Sequence, residues 1–176
     1  MFFKKLYPQS QITSFEPDRK TFLLLKKNIL TNKLTNTFLV NKAVSDRVGL
    51  FSFYSDPQDP GSTVMSLVKN RLHRASKKVT TTKLSVFIKE PVDFLKLDVE
   101  GTETKIIQEL SLKRKLSFIK QGIIEYHHHI EKDNDQFSVL LAILEKNGFG
   151  YQISTKLKSP FKSNLYQDLL IYFYKK

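Results

Sequence analysis

An apolar run from Val92 to Leu97 stops at Asp98-Val99-Glu100-Gly101, and Ile106, Ile107 and Leu110 then recur at the spacing of one helix face. A buried-type strand, a tight turn and a helix in that order form the unit from which parallel sheets are built, because the helix carries the chain back to start a neighbouring strand. The same order occurs twice more. Ile12 to Phe15 is a short β-type run ended by Glu16-Pro17-Asp18, where Pro17 has no N–H to give a ladder and Asp18 can cap the helix outlined by Phe22, Leu25 and Ile29, with Leu23 and Leu24 widening its stripe. Gly122-Ile123-Ile124-Glu125-Tyr126-His127 repeats the strand pattern, and Phe137 to Lys146 gives an amphipathic helix closed by Asn147-Gly148. Phe38-Leu39-Val40 and Leu50 to Tyr54 add strands, and Tyr151 to Ser154 and Asp168 to Tyr174 close the chain as two more. The pattern predicts an α/β sheet, mostly parallel with an antiparallel edge, in a single domain over residues 1–176.

Between these elements, Asp56 to Ser62 holds two prolines and Gly61 and reads as a loop. Val68 to Lys78 is strongly basic, with Arg71, His73, Arg74, Lys77 and Lys78 and few apolar anchors, and is expected to be a flexible cover over the site. The formal charge is +12, but 24 of the 29 basic residues are Lys and they spread along the whole chain, which describes a solvated surface better than an Arg-built nucleic-acid site. The absence of cysteine excludes disulfides, thiolate zinc sites and a cysteine nucleophile. No stretch approaches the roughly 20 apolar residues of a membrane span, and the start is too short and too soon broken by Pro8 for a signal segment. A soluble, cytoplasmic protein is expected.

Ligands of open α/β sheets bind beyond the carboxyl ends of the strands, so the residues there are the chemical candidates. Glu16 could hydrogen-bond a ribose hydroxyl or serve the helix that follows it. Asp98 and Glu100 could orient a substrate hydroxyl, take its proton or hold a cation, or could simply cap a helix. Glu125 and His127 are two apart and share one strand face, while His128 points to the other. Of the three successive histidines, only His127 and His129 could share a metal site with Glu125. A strand end reaching solvent explains the three histidines more plainly, and no metal is assigned. His127 suits a base or a hydrogen-bond donor, since imidazole titrates near neutrality.

Glu16-Pro17, Asn41-Lys42-Ala43-Val44-Ser45-Asp46, Gly61-Ser62-Thr63 and Lys96-Leu97-Asp98-Val99-Glu100-Gly101-Thr102-Glu103, in this order, resemble the motifs of the FkbM family of methyltransferases. The resemblance runs from about Gln11 to Glu125. It implies a Rossmann-like class I methyltransferase fold, S-adenosylmethionine as cofactor, and methyl transfer to a small molecule or glycan, most simply to oxygen. It further implies that Glu16 binds the cofactor ribose, Ala43 and Val44 flank the adenine, Asp98 faces cofactor and substrate, and Glu125 and His127 match a Glu-x-His at the end of the next strand.

The chain departs from the family pattern at its front. A strand and a glycine-rich loop should precede the segment at Ile12, yet the first glycine is Gly49, and Phe2 to Tyr7 looks like the tail of the first helix. The resemblance thus implies a domain truncated at its N-terminus that binds its cofactor poorly. That first strand would lie between the second and the fourth, so either their edges stay unpaired or Ile12 to Phe15 closes directly on Phe94 to Leu97. The rival class is a cofactor-free module whose basic surface binds nucleic acid or another anion, marked by steep salt dependence. The identity of the acceptor and the oligomeric state leave no trace in the sequence.

Overall fold

The computed structural model describes residues 2–55, 65–69, 75–128, 135–155 and 167–176. A short helix α1 (Phe2–Leu6) leads to β1 (Ile12–Phe15), α2 (Arg19–Thr31), β2 (Thr37–Val40) and β3 (Ala43–Val44). Then come β4 (Gly49–Ser55), β5 (Ala75–Thr82), β6 (Leu95–Leu97), α3 (Glu103–Leu112), β7 (Gln121–His128), α4 (Phe137–Lys146), β8 (Phe149–Thr155) and β9 (Gln167–Lys175).

The strands form three hydrogen-bonded ladders. β1 pairs with β2; β3, β5 and β4 form a second ladder; β6, β7, β9 and β8 form a third, in that order. The pairs β1–β2, β3–β5 and β6–β7 are parallel, and β4, β9 and β8 join antiparallel. The mixed α/β architecture is the expected one. Of the two expectations for the sheet interior, direct pairing is not seen: β1 does not pair with β6 among the described residues. Phe15 of β1 is packed against the main core, its ring edge-on to Phe87 at 4.9 Å.

That core lies under α3 and α4, against the third ladder. Ile106, Ile107 and Leu110 of α3, Leu140 and Leu144 of α4, Ile124 of β7, and Ile171 and Phe173 of β9 are all fully buried. Each such side chain contributes about 1.5–3 kcal/mol relative to exposure, so this half of the molecule holds most of the hydrophobic stabilisation. Helix α2 is different. Asp18 caps it as expected, accepting from the Thr21 N–H at 2.8 Å, and Phe22, Leu25 and Ile29 are half-buried. Leu23 and Leu24, however, face outward rather than widening the packed stripe.

The basic segment is corrected in part. Lys77 and Lys78 belong to β5, opposite Phe53 and Ser52 of β4, and Val79 and Thr81 of the same strand are buried. The Lys77 ammonium is paired with the Asp18 carboxylate at the start of α2. Alternation hidden in a polar, lysine-bearing run therefore makes a strand where a cover was expected. Arg71, His73 and Arg74, the loop from Asp56 to Ser62 with Gly61-Ser62-Thr63, and His129 lie outside the described residues. No helix among the described residues is long and apolar enough to cross a membrane.

Gly122 sits where β6 and β7 pair, opposite Leu95. A Cβ there would stand 2.3 Å from the Leu95 carbonyl oxygen and 2.7 Å from the Phe173 ring, and the first of these neighbours is backbone that cannot rotate away. Gly122→Ala is accordingly expected to destabilise the fold by about 2–3 kcal/mol or more, read as a lower urea midpoint at unchanged slope. A midpoint within error of the parent would show that the β6–β7 register is looser than drawn.

Candidate active site

The parallel pairing of β6 with β7 puts Leu97 beside Ile124, so Asp98, the next residue, emerges next to Glu125. Period two along β7 brings His127 to the same side. One side-chain ligand atom from each of Asp98, Glu125 and His127 lies within 4.8 Å of the others, with Asp98 exposed, Glu125 half-buried and His127 buried. The three residues assigned to chemistry from the sequence are thus brought together. His128 faces the other way as expected, its Nε2 2.6 Å from Asp135, whose other oxygen accepts from the Tyr126 hydroxyl at 2.6 Å.

The turn after β6 is built around a carboxylate the sequence reading did not single out. Glu100 and Gly101 both have positive φ, 60° and 114°, and at Glu100 this is an uncommon conformation for a residue with a Cβ. Three contacts hold it. The Gly101 N–H donates to Glu103 Oε1 at 2.9 Å, the Ser66 hydroxyl donates to the Glu100 carbonyl at 2.5 Å, and Glu100 Oε2 lies 3.2 Å from His127 Nε2. Glu103 Oε1 also meets His127 Nδ1 at 2.8 Å, with both side chains 1% exposed. The buried Glu103 carboxylate holds the ring at Nδ1 and leaves Nε2 on the side of Glu100.

Asp168 of β9 stands opposite His127 in the antiparallel register, with Oδ1 3.9 Å from Nε2. Five carboxylates, those of Asp98, Glu100, Glu103, Glu125 and Asp168, therefore surround one imidazole, in a chain whose formal charge is +12. Lys96 offsets part of this, 2.7 Å from Asp98. Burial raises the Glu125 carboxyl above its ordinary range, and the Asp98 charge raises it further against the opposing pull of His127 and Lys96. Glu103 and Asp168 are the residues sequence reasoning missed. Glu103 stood inside the quoted motif, whereas Asp168 depends on a strand register that no local pattern encodes.

Glu16 forms a second group, at the end of β1. Its Oε1 accepts the Asp18 N–H at 2.8 Å, and the Asn41 amide donates to the carbonyls of Glu16 at 2.8 Å and Pro17 at 3.2 Å. Burial raises the Glu16 carboxyl, with Lys77 opposing. Ala43 and Val44 are core residues, Val44 in the main cluster and Ala43 in a small one with Phe53 and Val79. What β3 presents at its end is thus mainly backbone.

Residues 1–151 match the methyltransferase FkbM domain, and the chain belongs to that family. It is similar in structure to the FkbM methyltransferase from Methylobacillus flagellatus KT, with a TM-score of 0.59 and 16% identity over 98% of this chain and 39% of that one. It is also similar to TYW2 from M. jannaschii, solved in complex with AdoMet, with a TM-score of 0.50 and 15% identity over 99% of this chain and 62% of that one. The chain spans well under half of the Methylobacillus protein, and at these identities the likeness establishes the methyltransferase-type α/β fold. No protein of curated function matches it. The match ends at residue 151, yet β9, which follows, pairs with β7 inside the same ladder.

Because the folded state raises the Glu125 carboxyl, this group favours folding below its unfolded value and opposes it once pH rises through the folded one. Glu125→Gln should leave stability near pH 4 almost unchanged and raise the thermal midpoint at neutral pH by about 1–3 °C. Equal effects at both pH values would mean that the shift, and the crowding of charge behind it, is absent.

Proposed function

We propose that the chain carries the transfer site of an S-adenosylmethionine-dependent methyltransferase whose acceptor is a hydroxyl of a small molecule or glycan. Membership of the FkbM family supports the reaction class. The observation that carries the assignment of residues is the convergence of Asp98, Glu125 and His127 at the ends of adjacent parallel strands, with His127 oriented from behind by Glu103.

The donor set suits the cofactor. Glu16 offers a carboxylate for a ribose diol, β3 offers backbone and apolar surface beside Ala43 and Val44 for a base, and the Asp98 carboxylate suits a cationic sulfonium end. The Thr102 hydroxyl, buried in the turn without a hydrogen-bond partner among the described residues, is a further donor held in reserve. When bound, the cofactor supplies an electrophilic methyl group.

The chain's own residues have two tasks, to position the acceptor oxygen and to take its proton. Asp98 is the exposed member and accepts a hydrogen bond from the incoming hydroxyl. His127, held at Nδ1 by Glu103 and with Nε2 3.2 Å from Glu100 Oε2, is the group assigned to take the proton. Glu125 completes the polar wall, its raised carboxyl able to share the proton closer to neutrality than a free glutamate could. A wall of carboxylates welcomes neutral, hydroxyl-rich acceptors and repels polyanions, which favours small molecules or glycans over nucleic acid.

Asp98→Asn keeps the size and exposure of the side chain and removes its charge. At saturating cofactor, with a panel of hydroxylated small molecules and oligosaccharides, methyl transfer by the variant should fall at least about 100-fold while the circular dichroism stays that of the parent. Parent-like turnover would remove Asp98 from the mechanism, and no transfer by the parent to any hydroxylated acceptor would count against the reading itself.

A further inference from the structure

We propose that α1 and the end of α2 form a docking surface for an anionic phospholipid bilayer, with Phe2, Leu6, Tyr7 and Leu30 at the acyl boundary. The first observation is a helix turned inside out. In α1 the buried residue is Lys4, whose ammonium donates to the carbonyls of Pro8 at 2.7 Å and Ser10 at 2.5 Å, while Phe2, Leu6 and Tyr7 are 69%, 55% and 61% exposed. A period of 3.6 sets Phe2, Phe3 and Leu6 on one side of the helix, away from Lys4. The Phe3 ring lies 5.3 Å from that of Phe94, just before β6. The helix is thus fastened by its lysine and one ring, and it holds its other apolar side chains outward as a contiguous face of the kind that marks a contact surface.

Strand geometry gathers more of the same at this end of the fold. β1 and β2 are parallel, so α2 carries the chain back from the carboxyl end of the ladder to its amino end, where the Ile12 N–H donates to the Asn36 carbonyl at 2.9 Å. Leu30, 67% exposed in the last turn of α2, and Lys33 just after it therefore share that end with α1. Glu16 lies at the other end of β1, so a surface seated on α1 leaves it clear.

Charge points to what covers this face. From Met1 to Phe15 and from Arg19 to Ser45 the sequence holds eight basic residues and no acidic one, and all of the eight but Lys4 are exposed. Asp18, at the head of α2, is taken up by Lys77, and Asp93, next to Phe94, is paired with Lys120 at 2.6 Å. A bilayer meets both demands at once: the acyl boundary takes the rings and leucines, and lysines on long stems reach the phosphates. A second copy of the chain would set like charges against each other across a twofold axis. A single-stranded nucleic acid would stack on the rings, but Leu6 and Leu30 would gain nothing from it.

The test is co-sedimentation of the whole chain with vesicles of phosphatidylcholine, either alone or with about one-third phosphatidylglycerol, at physiological salt. Neither cofactor nor methyl acceptor enters the assay, so its outcome is separate from that of the methyltransferase reading. Saturable partition onto the anionic vesicles is expected, at least about tenfold stronger than onto neutral ones. Phe2→Gln/Leu6→Gln, which leaves the charge unchanged, and Lys5→Gln/Lys33→Gln should each weaken it at least about tenfold. Leu112→Gln/Lys113→Gln removes an exposed leucine and an exposed lysine at the end of α3 and should bind within about twofold of the parent. Circular dichroism of each variant separates a lost surface from a lost fold, and all the substituted side chains are exposed. The proposal is overturned if the parent shows no saturable binding to anionic vesicles. It is equally overturned if folded Phe2→Gln/Leu6→Gln binds like the parent, which would reduce the effect to counterion attraction, or if sedimentation velocity shows a parent dimer that this variant turns into monomers.

Discussion

A carboxylate removed from water must find donors or lose its charge, and the buried Glu103 side chain meets that demand with the Gly101 N–H and the His127 ring. Both partners are consequential. The first draws the backbone into a turn tight enough to require two successive positive φ angles, and so sets where α3 begins and which way Glu100 points. The second locks the imidazole and decides which nitrogen faces the strand ends. The turn, the first residue of the helix and the orientation of the buried His127 ring are thus consequences of a single desolvated group.

The sequence disclosed what local periodicity can encode. Glu125 and His127 on one face of β7, with His128 on the other, followed from period two alone, and the three fully buried apolar residues of α3 were the three its spacing marked. The Asp18 cap was legible from Pro17 and the apolar pattern after it. What local periodicity could not convey was non-local. β5 escaped because Lys77 shares the face of Val79 and Thr81 while Lys78 and Thr80 take the other, so its alternation is between largely polar residues and depends on β4 to acquire an inside. Asp168 came to His127 only through the register of β9, and Ala43 and Val44, read from a motif, turned out to be packed into the core.

Charge is distributed against its own average. A chain with a formal charge of +12 gathers five carboxylates around one ring and spends few of its lysines there, with Lys96 on Asp98 the principal exception. The basic surface draws anions toward the molecule over a Debye length or so, while the site at the strand ends turns them away. Such opposition discriminates between ligands that resemble one another in shape and differ in charge. Lys77 adds nothing to the outer field, because Asp18 engages it at the head of α2.

Among the described residues no backbone hydrogen bond joins one ladder to another, so Glu16 and the Asp98 group ride on separate sheets. Side-chain contacts link their ends: the Lys77 ammonium on Asp18 and the Ser66 hydroxyl on the Glu100 carbonyl, with Phe15 of β1 packed into the main core. Contacts of this kind slide and re-form on rotamer timescales, whereas ladders must break. With β1 and β6 not hydrogen-bonded to each other among the described residues, a shift between their ends would cost side-chain repacking and leave every described strand intact.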